Sequence, residues 1–134
     1  MEKSIFTKLI NKELPSFCIY EDETVYAFLD IHPITSGHTL IVPKKQVEFV
    51  WDLEEQDYQV LMATTQKLAK HLRAHLNVPY IGEQVVGVDV PHAHVHLIPF
   101  TTVDEYRRAP NPDTKPDFEA LAKIHEQLQV RGSL

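Results

Sequence analysis

Hydrophobic residues recur at helical spacing in three stretches of the chain. Near the start, apolar residues at positions 5, 6, 9 and 10 follow Ser4, and this pattern predicts a short N-terminal helix. The sequence Asp52-Leu53-Glu54-Glu55 is typical of a capping box with aspartate in the cap position. Apolar residues then recur every third or fourth position, which predicts the main helix over residues 52–77. The same spacing predicts a last helix over residues 118–128.

Five shorter apolar runs, rich in β-branched and aromatic residues, predict strands. The first two flank the polar sequence at 21–24 and predict a hairpin, and Gly82 and Gly87 interrupt the fourth. The runs cover residues 17–20, 25–31, 38–42, 80–90 and 92–100. Strands gathered around one long helix predict an α+β fold with a five-stranded, mostly antiparallel sheet. Residues 101–116 are polar and rich in proline, and predict an ordered loop or tail.

Composition narrows the class of protein. The 134 residues, 43% of them hydrophobic, are enough for one domain with its own core, which we expect over residues 1–100, with a C-terminal loop and helix over 101–134. A net charge of −6 argues against nucleic-acid binding. No apolar run approaches the length of a membrane span, and Cys18 has no partner for a disulfide. We therefore expect a cytoplasmic protein that binds neither membrane nor nucleic acid.

Three histidines alternate with apolar residues in the sequence His92-Ala93-His94-Val95-His96. In a strand, alternate side chains share one face, so the imidazoles would line up about 6.6–6.8 Å apart. Such a row can hold a nucleophile and hydrogen-bond donors that titrate near neutrality, and three histidines in five positions disfavour an accidental polar face. A straight row is poorly arranged to chelate one metal ion, so we expect no metal site.

His38 begins the third predicted strand, directly after Gly37. Among its apolar neighbours, it is either a hydrogen-bonded structural group or a catalytic one, and the sequence leaves both interpretations open. No phosphate-loop, dinucleotide-binding or serine-nucleophile motif is present. A substrate phosphate would therefore meet the imidazoles themselves and the backbone N–H groups around Gly87.

The chain resembles the histidine triad (HIT) superfamily, whose pattern is His-x-His-x-His followed by apolar residues. Here that pattern is His92-Ala93-His94-Val95-His96-Leu97-Ile98. Other segments fall in the family's order and spacing: Ser4-Ile5-Phe6, Tyr20-Glu21-Asp22, residues 27–31, Pro33, Gly37-His38 and Ile41-Val42-Pro43-Lys44. The similarity covers about the first 100 residues and leaves the last 34 unexplained.

This resemblance implies a mechanism. His94 would attack the α-phosphorus of a nucleotide and form a nucleotidyl-histidine that water cleaves. His92 would orient His94 through a backbone carbonyl, His96 would donate to a phosphate oxygen or to the leaving group, and His38 would support them. The resemblance also implies a homodimer in which two subunits continue one sheet.

The resemblance further implies a purine-nucleotide pocket. Its nucleoside-binding positions are Phe6, Leu9, Phe28, Asp30 and Ile31, and its phosphate-contacting positions are Gly87 and Asp89. Asp30 would accept hydrogen bonds from the ribose hydroxyls.

The sequence departs from the family pattern in two places. Ser4, Thr7 and Gln46 stand where many relatives carry two cysteines and a histidine that bind structural zinc, so we expect no zinc and no cofactor. The stretch before the triad lacks a family asparagine and carries Asp89 at a phosphate-contacting position. Asp89 either points outward or forms an ion pair, or it selects against highly charged polyphosphates.

The predicted function is hydrolysis of a nucleotide P–N or P–O bond by a nucleoside phosphoramidase-like enzyme that releases a nucleoside monophosphate. Two alternatives stay open: a dinucleoside polyphosphate hydrolase, and a nucleotide-binding adaptor with little turnover.

Overall fold

The computed structural model describes residues 2–134, and its first element is the short helix α1 (Ile5–Ile10). Ser4 is the N-cap: its side-chain oxygen accepts a hydrogen bond from the N–H of Thr7 at 3.0 Å, which satisfies a donor that the helix itself cannot. Phe6 is the buried residue of the helix and points into the protein.

A five-stranded antiparallel sheet is the central element of the fold. Its strands are β1 (Cys18–Glu21), β2 (Val25–Leu29), β3 (Thr39–Pro43), β4 (Tyr80–Gln84) and β5 (Val95–Phe100). They lie in the order β1-β2-β3-β5-β4, and every neighbouring pair is antiparallel. The predicted α+β fold with an antiparallel sheet is confirmed.

The long helix α2 (Glu55–Leu76) covers one face of this sheet. Its Leu61, Leu68 and Leu72 are fully buried, and burying each such side chain contributes about 1.5–3 kcal/mol. The C-terminal helix α4 (Phe118–Leu128) packs into the same hydrophobic cluster through Leu121 and Leu128. Within the described part of the chain, no helix is both long enough and apolar enough to cross a bilayer.

The segment between β4 and β5 differs from the prediction. The fourth strand ends at Gln84 rather than at residue 90, and the fifth begins at Val95 rather than at residue 92. Gly87 has a φ of +83°, outside the extended region, and Pro91 has no N–H to give to a ladder. His92 and His94 therefore lie in a loop, and only His96 lies in a strand.

The capping prediction was wrong at α2 and missed a real capping box elsewhere. Asp52 lies in a 3-10 turn (Val50–Asp52), and the N-cap of α2 is Glu54, whose side chain makes no capping hydrogen bond. A true capping box joins Thr102 and Glu105 at the start of α3 (Val103–Tyr106). A short helix therefore lies inside the segment predicted as a loop.

Candidate active site

His92 is clamped through both ring nitrogens. Its Nε2 lies 2.7 Å from the backbone oxygen of Pro43, and its Nδ1 lies 2.7 Å from Oγ of Ser4. A carbonyl oxygen can only accept, so Nε2 carries the hydrogen and Nδ1 accepts from the Ser4 hydroxyl. Burial lowers the pKa of His92, which favours this neutral ring.

His94 takes its orientation from the residue before it in the triad. Its Nδ1 lies 2.7 Å from the backbone oxygen of His92, so Nδ1 carries the hydrogen and Nε2 keeps a free lone pair. The ring is 3% exposed, and the edge-on ring of Phe6 lies 5.1 Å from it, centroid to centroid. The ring of His96 lies at the same distance. The arrangement presents one nucleophilic nitrogen in a site that is largely shielded from water.

His38 and His96 form a directional pair. The N–H of Ile34 donates to Nδ1 of His38 at 3.0 Å, so the hydrogen of this ring is on Nε2. That Nε2 lies 2.9 Å from Nδ1 of His96 and donates to it, which places the ring hydrogen of His96 on Nε2, where it is a donor. His38 is therefore hydrogen-bonded to the triad itself, and its supporting role in catalysis stays a prediction.

Electrostatics keep this pair neutral. Burial, and then the charge of His96, lower the pKa of His38 to about 3. Burial and the charge of His94 lower the pKa of His96 to about 4, against a smaller rise caused by Asp89. At neutral pH both rings are uncharged, so the order of hydrogen-bond donors and acceptors is fixed.

Gly37 lets the chain turn into this position. Its φ of +92° is unfavourable for residues with a side chain, and a Cβ there would lie 2.6 Å from Leu76 Cδ1. The turn delivers His38 to the start of β3, beside His96 of β5.

A HIT domain matches residues 11–103, which is more than half of the chain. The chain belongs to the HIT family. Adenosine 5'-monophosphoramidase HNT1 of Saccharomyces cerevisiae is 34% identical over 128 residues, covering 95% of this chain and 81% of the yeast protein. The protein of the same name from Candida albicans is 32% identical over 134 residues, covering 93% of this chain and 88% of that one.

The structural comparison agrees with the sequence comparison. A Hit-like protein from Bartonella henselae has a TM-score of 0.82 at 30% identity, covering 95% of this chain and 94% of that one. The similarity therefore extends to the C-terminal helix, beyond the residues that carry the HIT pattern.

The residues that the HIT resemblance assigns to the nucleoside pocket divide into two groups. Phe6, Leu9 and Phe28 meet in one hydrophobic cluster, with the rings of Phe6 and Phe28 5.3 Å apart. Asp30 and Ile31 line a cavity of about 330 Å³ that lies between His38 and helix α4. Phe6, Leu9 and Phe28 form an apolar wall, and Phe6 lies beside His94. Within the part of the chain that the structure describes, these three residues do not line the cavity.

Asp30 lies beside His38. Its Oδ2 lies 3.7 Å from Nε2 of His38, and its Oδ1 accepts the N–H of His32 at 2.8 Å. Burial raises the pKa of Asp30, and the charge of Asp89 adds to this rise, while the N–H of His32 opposes it. Residues of the C-terminal segment, among them Arg108 and Glu105, line the same cavity. Nothing in the sequence pattern predicted that contribution.

The side-chain atoms of Asp30, His38 and His96 are close enough together to surround a metal ion. The hydrogen bond from Ile34 argues against that use. A metal at Nε2 of His38 would need the ring hydrogen on Nδ1, where the Ile34 N–H already points. The absence of metal and cofactor stays a prediction.

Gly87 and Asp89 lie in the loop that precedes the triad. Phe49 packs beside Gly87, and Asp89 is exposed. The charge of Asp89 raises the pKa of both His96 and Asp30, so its field reaches the site. Among residues 2–134, Asp89 forms no ion pair within 4.0 Å. An ion-paired Asp89 is therefore not observed.

Sequence reasoning missed three groups that set the tautomers in the site. These are the hydroxyl of Ser4, the carbonyl of Pro43 and the N–H of Ile34. The last two are backbone groups, which no residue pattern reveals. Ser4 had a signal, since the resemblance places it at a family metal-binding position, but its role as a hydrogen-bond donor to His92 appears only in the structure.

Proposed function

We propose that this HIT protein is a hydrolase that releases a nucleoside monophosphate from a nucleoside phosphoramidate through a nucleotidyl-histidine. The observation that carries the proposal is the tautomer of His94: Nδ1–H is held by the carbonyl of His92, and Nε2 is free beside a donor on His96. Similarity to two adenosine 5'-monophosphoramidases supports the choice of substrate.

In the first step, Nε2 of His94 attacks phosphorus and the P–N bond to the leaving amine breaks. The electron pair goes to the amine nitrogen. This nitrogen takes its proton from solvent, because the neighbouring imidazoles are neutral and donate hydrogen bonds rather than protons. The Nε2–H of His96 donates a hydrogen bond to the phosphate oxygen or to the leaving nitrogen. The positive charge on the modified His94 is stabilised by the carbonyl of His92.

In the second step, water attacks the same phosphorus. The bond between phosphorus and Nε2 of His94 breaks, the ring returns to its neutral form, and the proton of the water leaves to solvent. The products are a nucleoside monophosphate and a free amine. Asp30 binds the ribose hydroxyls in this proposal, and Phe6 and Leu9 pack against a purine base.

The test is to incubate the purified protein with an adenosine phosphoramidate and measure AMP release. Acid-quenched samples are examined by mass spectrometry for a protein adduct that carries one AMP. The proposal expects both signals. Binding of AMP without release or adduct would indicate a nucleotide-binding adaptor instead.

Two further features belong to the same proposal. We place the protein in the cytoplasm, as the sequence led us to expect, and we propose a homodimer. The strand β4 is one edge of the sheet, and its first residue, Tyr80, is 56% exposed. Edge strands carry unpaired backbone groups that another chain can satisfy, so β4 is the natural place for two sheets to join.

A further inference from the structure

The backbone carbonyl of His92, which orients the ring of His94, lies outside the hydrogen-bonded ladder of the sheet. The ladder between β3 and β5 starts at the pair Ile41 and Val95, one residue after His94. The backbone before it is fixed by two hydrogen bonds, from the His92 N–H to Val90 at 2.8 Å and from the Ala93 N–H to Val47 at 2.7 Å. Neither of these bonds involves the carbonyl of His92, so its direction depends on how firmly residue 92 is held.

The ring of His92 supplies that hold. It spans from the carbonyl of Pro43, at the end of β3, to the hydroxyl of Ser4, at the start of α1. The hydrogen on Nε2 is committed to Pro43, so Nδ1 needs a donor. Within residues 2–134 the nearest one is the hydroxyl of Ser4, at 2.7 Å, and the hydroxyl of Thr7 is further away, at 3.4 Å. Ser4 itself is 5% exposed, and water has little access to replace it.

The position of Ser4 is fixed in turn by a second layer of contacts. Oε1 of Gln46 accepts from the N–H of Ser4 and from Oγ1 of Thr7, both at 2.8 Å. Nε2 of Gln46 donates to the carbonyl of Glu2 at 2.7 Å. The start of α1 is thereby tied to the chain just after β3. Because the Ser4 oxygen also accepts from the Thr7 N–H, one hydroxyl caps the helix and holds the ring.

We propose that Ser4 is a positioning residue for His94, acting through the ring and the carbonyl of His92. Loss of the hydroxyl leaves Nδ1 of His92 buried without its donor, and the ring and its carbonyl shift. The bond from Nδ1 of His94 then weakens, and the free lone pair on Nε2 is less well aimed. The apolar contacts of α1 with the site, through Phe6, do not depend on this hydroxyl.

The kinetic test rests on the proposed function and compares three variants. Ser4→Ala removes the hydroxyl, and Ser4→Thr retains one. Ser16→Ala is the matched control, because it removes a partly buried serine hydroxyl, 2.6 Å from the hydroxyl of Tyr26, at a residue that does not line the cavity beside His38. For Ser4→Ala we expect kcat for adenosine phosphoramidate to fall about 10- to 100-fold with KM nearly unchanged, since misplacement of a reacting group by about 1 Å has an effect of that size. Ser4→Thr should recover most of the loss, and Ser16→Ala should keep the wild-type kcat.

A second measurement needs no turnover. Nitrogen-15 NMR of the histidine rings distinguishes protonated from unprotonated ring nitrogens. In the wild type we expect His94 as the Nδ1–H tautomer and His92 as the Nε2–H tautomer. In Ser4→Ala, the His94 signals should move toward a mixture of tautomers, while in Ser16→Ala they should not.

The two measurements separate the hypotheses. If the wild type releases no AMP but its His94 tautomer changes in Ser4→Ala, the proposed function fails and the positioning role stands. If Ser4→Ala keeps the wild-type His94 tautomer, or if its kcat stays within twofold of Ser16→Ala, the positioning role is wrong. A loss of kcat that Ser4→Thr does not recover, with unchanged His94 signals, also overturns it.

Discussion

At the scale of single residues, the site works with neutral rings in a fixed order. Ile34 donates to His38, His38 donates to His96, and His96 is left with an outward donor. A separate pair of bonds gives His94 the opposite tautomer, with its lone pair outward. Two chemically identical side chains thus present a donor and a nucleophile, because the His38 ring donates to Nδ1 of His96 whereas Nδ1 of His94 donates to a backbone carbonyl.

His94→Ala should reduce AMP release from adenosine phosphoramidate by at least about 100-fold, because removing a nucleophile or acid–base group costs about 10² to 10⁴ in rate. The matched control is His75→Ala, at an exposed histidine whose Nδ1 bonds to the carbonyl of His71. It should retain wild-type activity. If His94→Ala kept more than a tenth of the wild-type rate, His94 would not be the nucleophile.

The buried rings also predict how stability depends on pH. The pKa values of His38 and His96 are lowered to about 3 and about 4, so the unfolded state binds more protons than the folded state below about pH 6.5. Their contribution to stability is fully present at pH 7 and is lost as the pH falls from about 6.5 toward 4. Each ring changes the free energy of unfolding by up to about 1.4 kcal/mol per pH unit in this range.

The measurement is urea unfolding at pH 7.0, 6.0 and 5.0. His38→Gln removes one of the two titrating groups and should flatten the pH dependence relative to the wild type. Equal slopes for the two proteins would show that the buried His38 ring does not contribute.

At the scale of elements, the loop between β4 and β5 carries the negative charge of Asp89 near the site. Asp89 has no ion-pair partner within residues 2–134, and its field reaches His96 and Asp30. At about 5 Å and an effective dielectric near 20, one more negative charge on a substrate would be repelled by about 3 kcal/mol. At such a distance the loop would disfavour long polyphosphate chains more than a phosphoramidate with one ionised phosphate, and this selectivity stays a prediction.

Asp89→Ser should raise kcat/KM for a dinucleoside polyphosphate more than for a singly charged phosphoramidate. Asp113→Ser, at an exposed aspartate of the C-terminal segment, is the control for a simple change in net charge. Changes that agree within twofold for the two substrates would mean that Asp89 does not select between them.

The same loop is where the strand prediction from the sequence failed. The strands and helices were predictable where apolar spacing was regular, as in α2 and in the hairpin of β1 and β2. The row of three histidines on one strand was not observed, because Gly87 and Pro91 interrupt the extended backbone and the ladder starts at Val95. The three histidines still lie close together, because the hydrogen bonds of His92 and His94 use side chains and carbonyls rather than strand pairing, and their functional roles stay predictions.

At the scale of the whole molecule, the edge strand β4 and the neighbouring helix α2 are the surfaces through which two copies would join. Static light scattering at micromolar concentration should give about 31 kDa, twice the 15.4 kDa of one chain. Replacing an edge residue by proline, as in Glu83→Pro, removes a backbone N–H at that edge and should shift the mass toward the monomer. A wild-type mass of about 15 kDa would exclude the homodimer under these conditions.

The clamp around His92 has a consequence for how the protein loses its site on heating. The segment of the triad outside the sheet is tied to α1 by Ser4, to the end of β3 by Pro43, and to the chain before α2 by Val47. A segment held from three sides does not fray by itself, so its amides exchange with solvent only when a larger unit opens. The amide of Ala93, bonded to Val47, is therefore a probe of that unit, and catalytic competence should disappear in the same transition that releases α1 from the sheet.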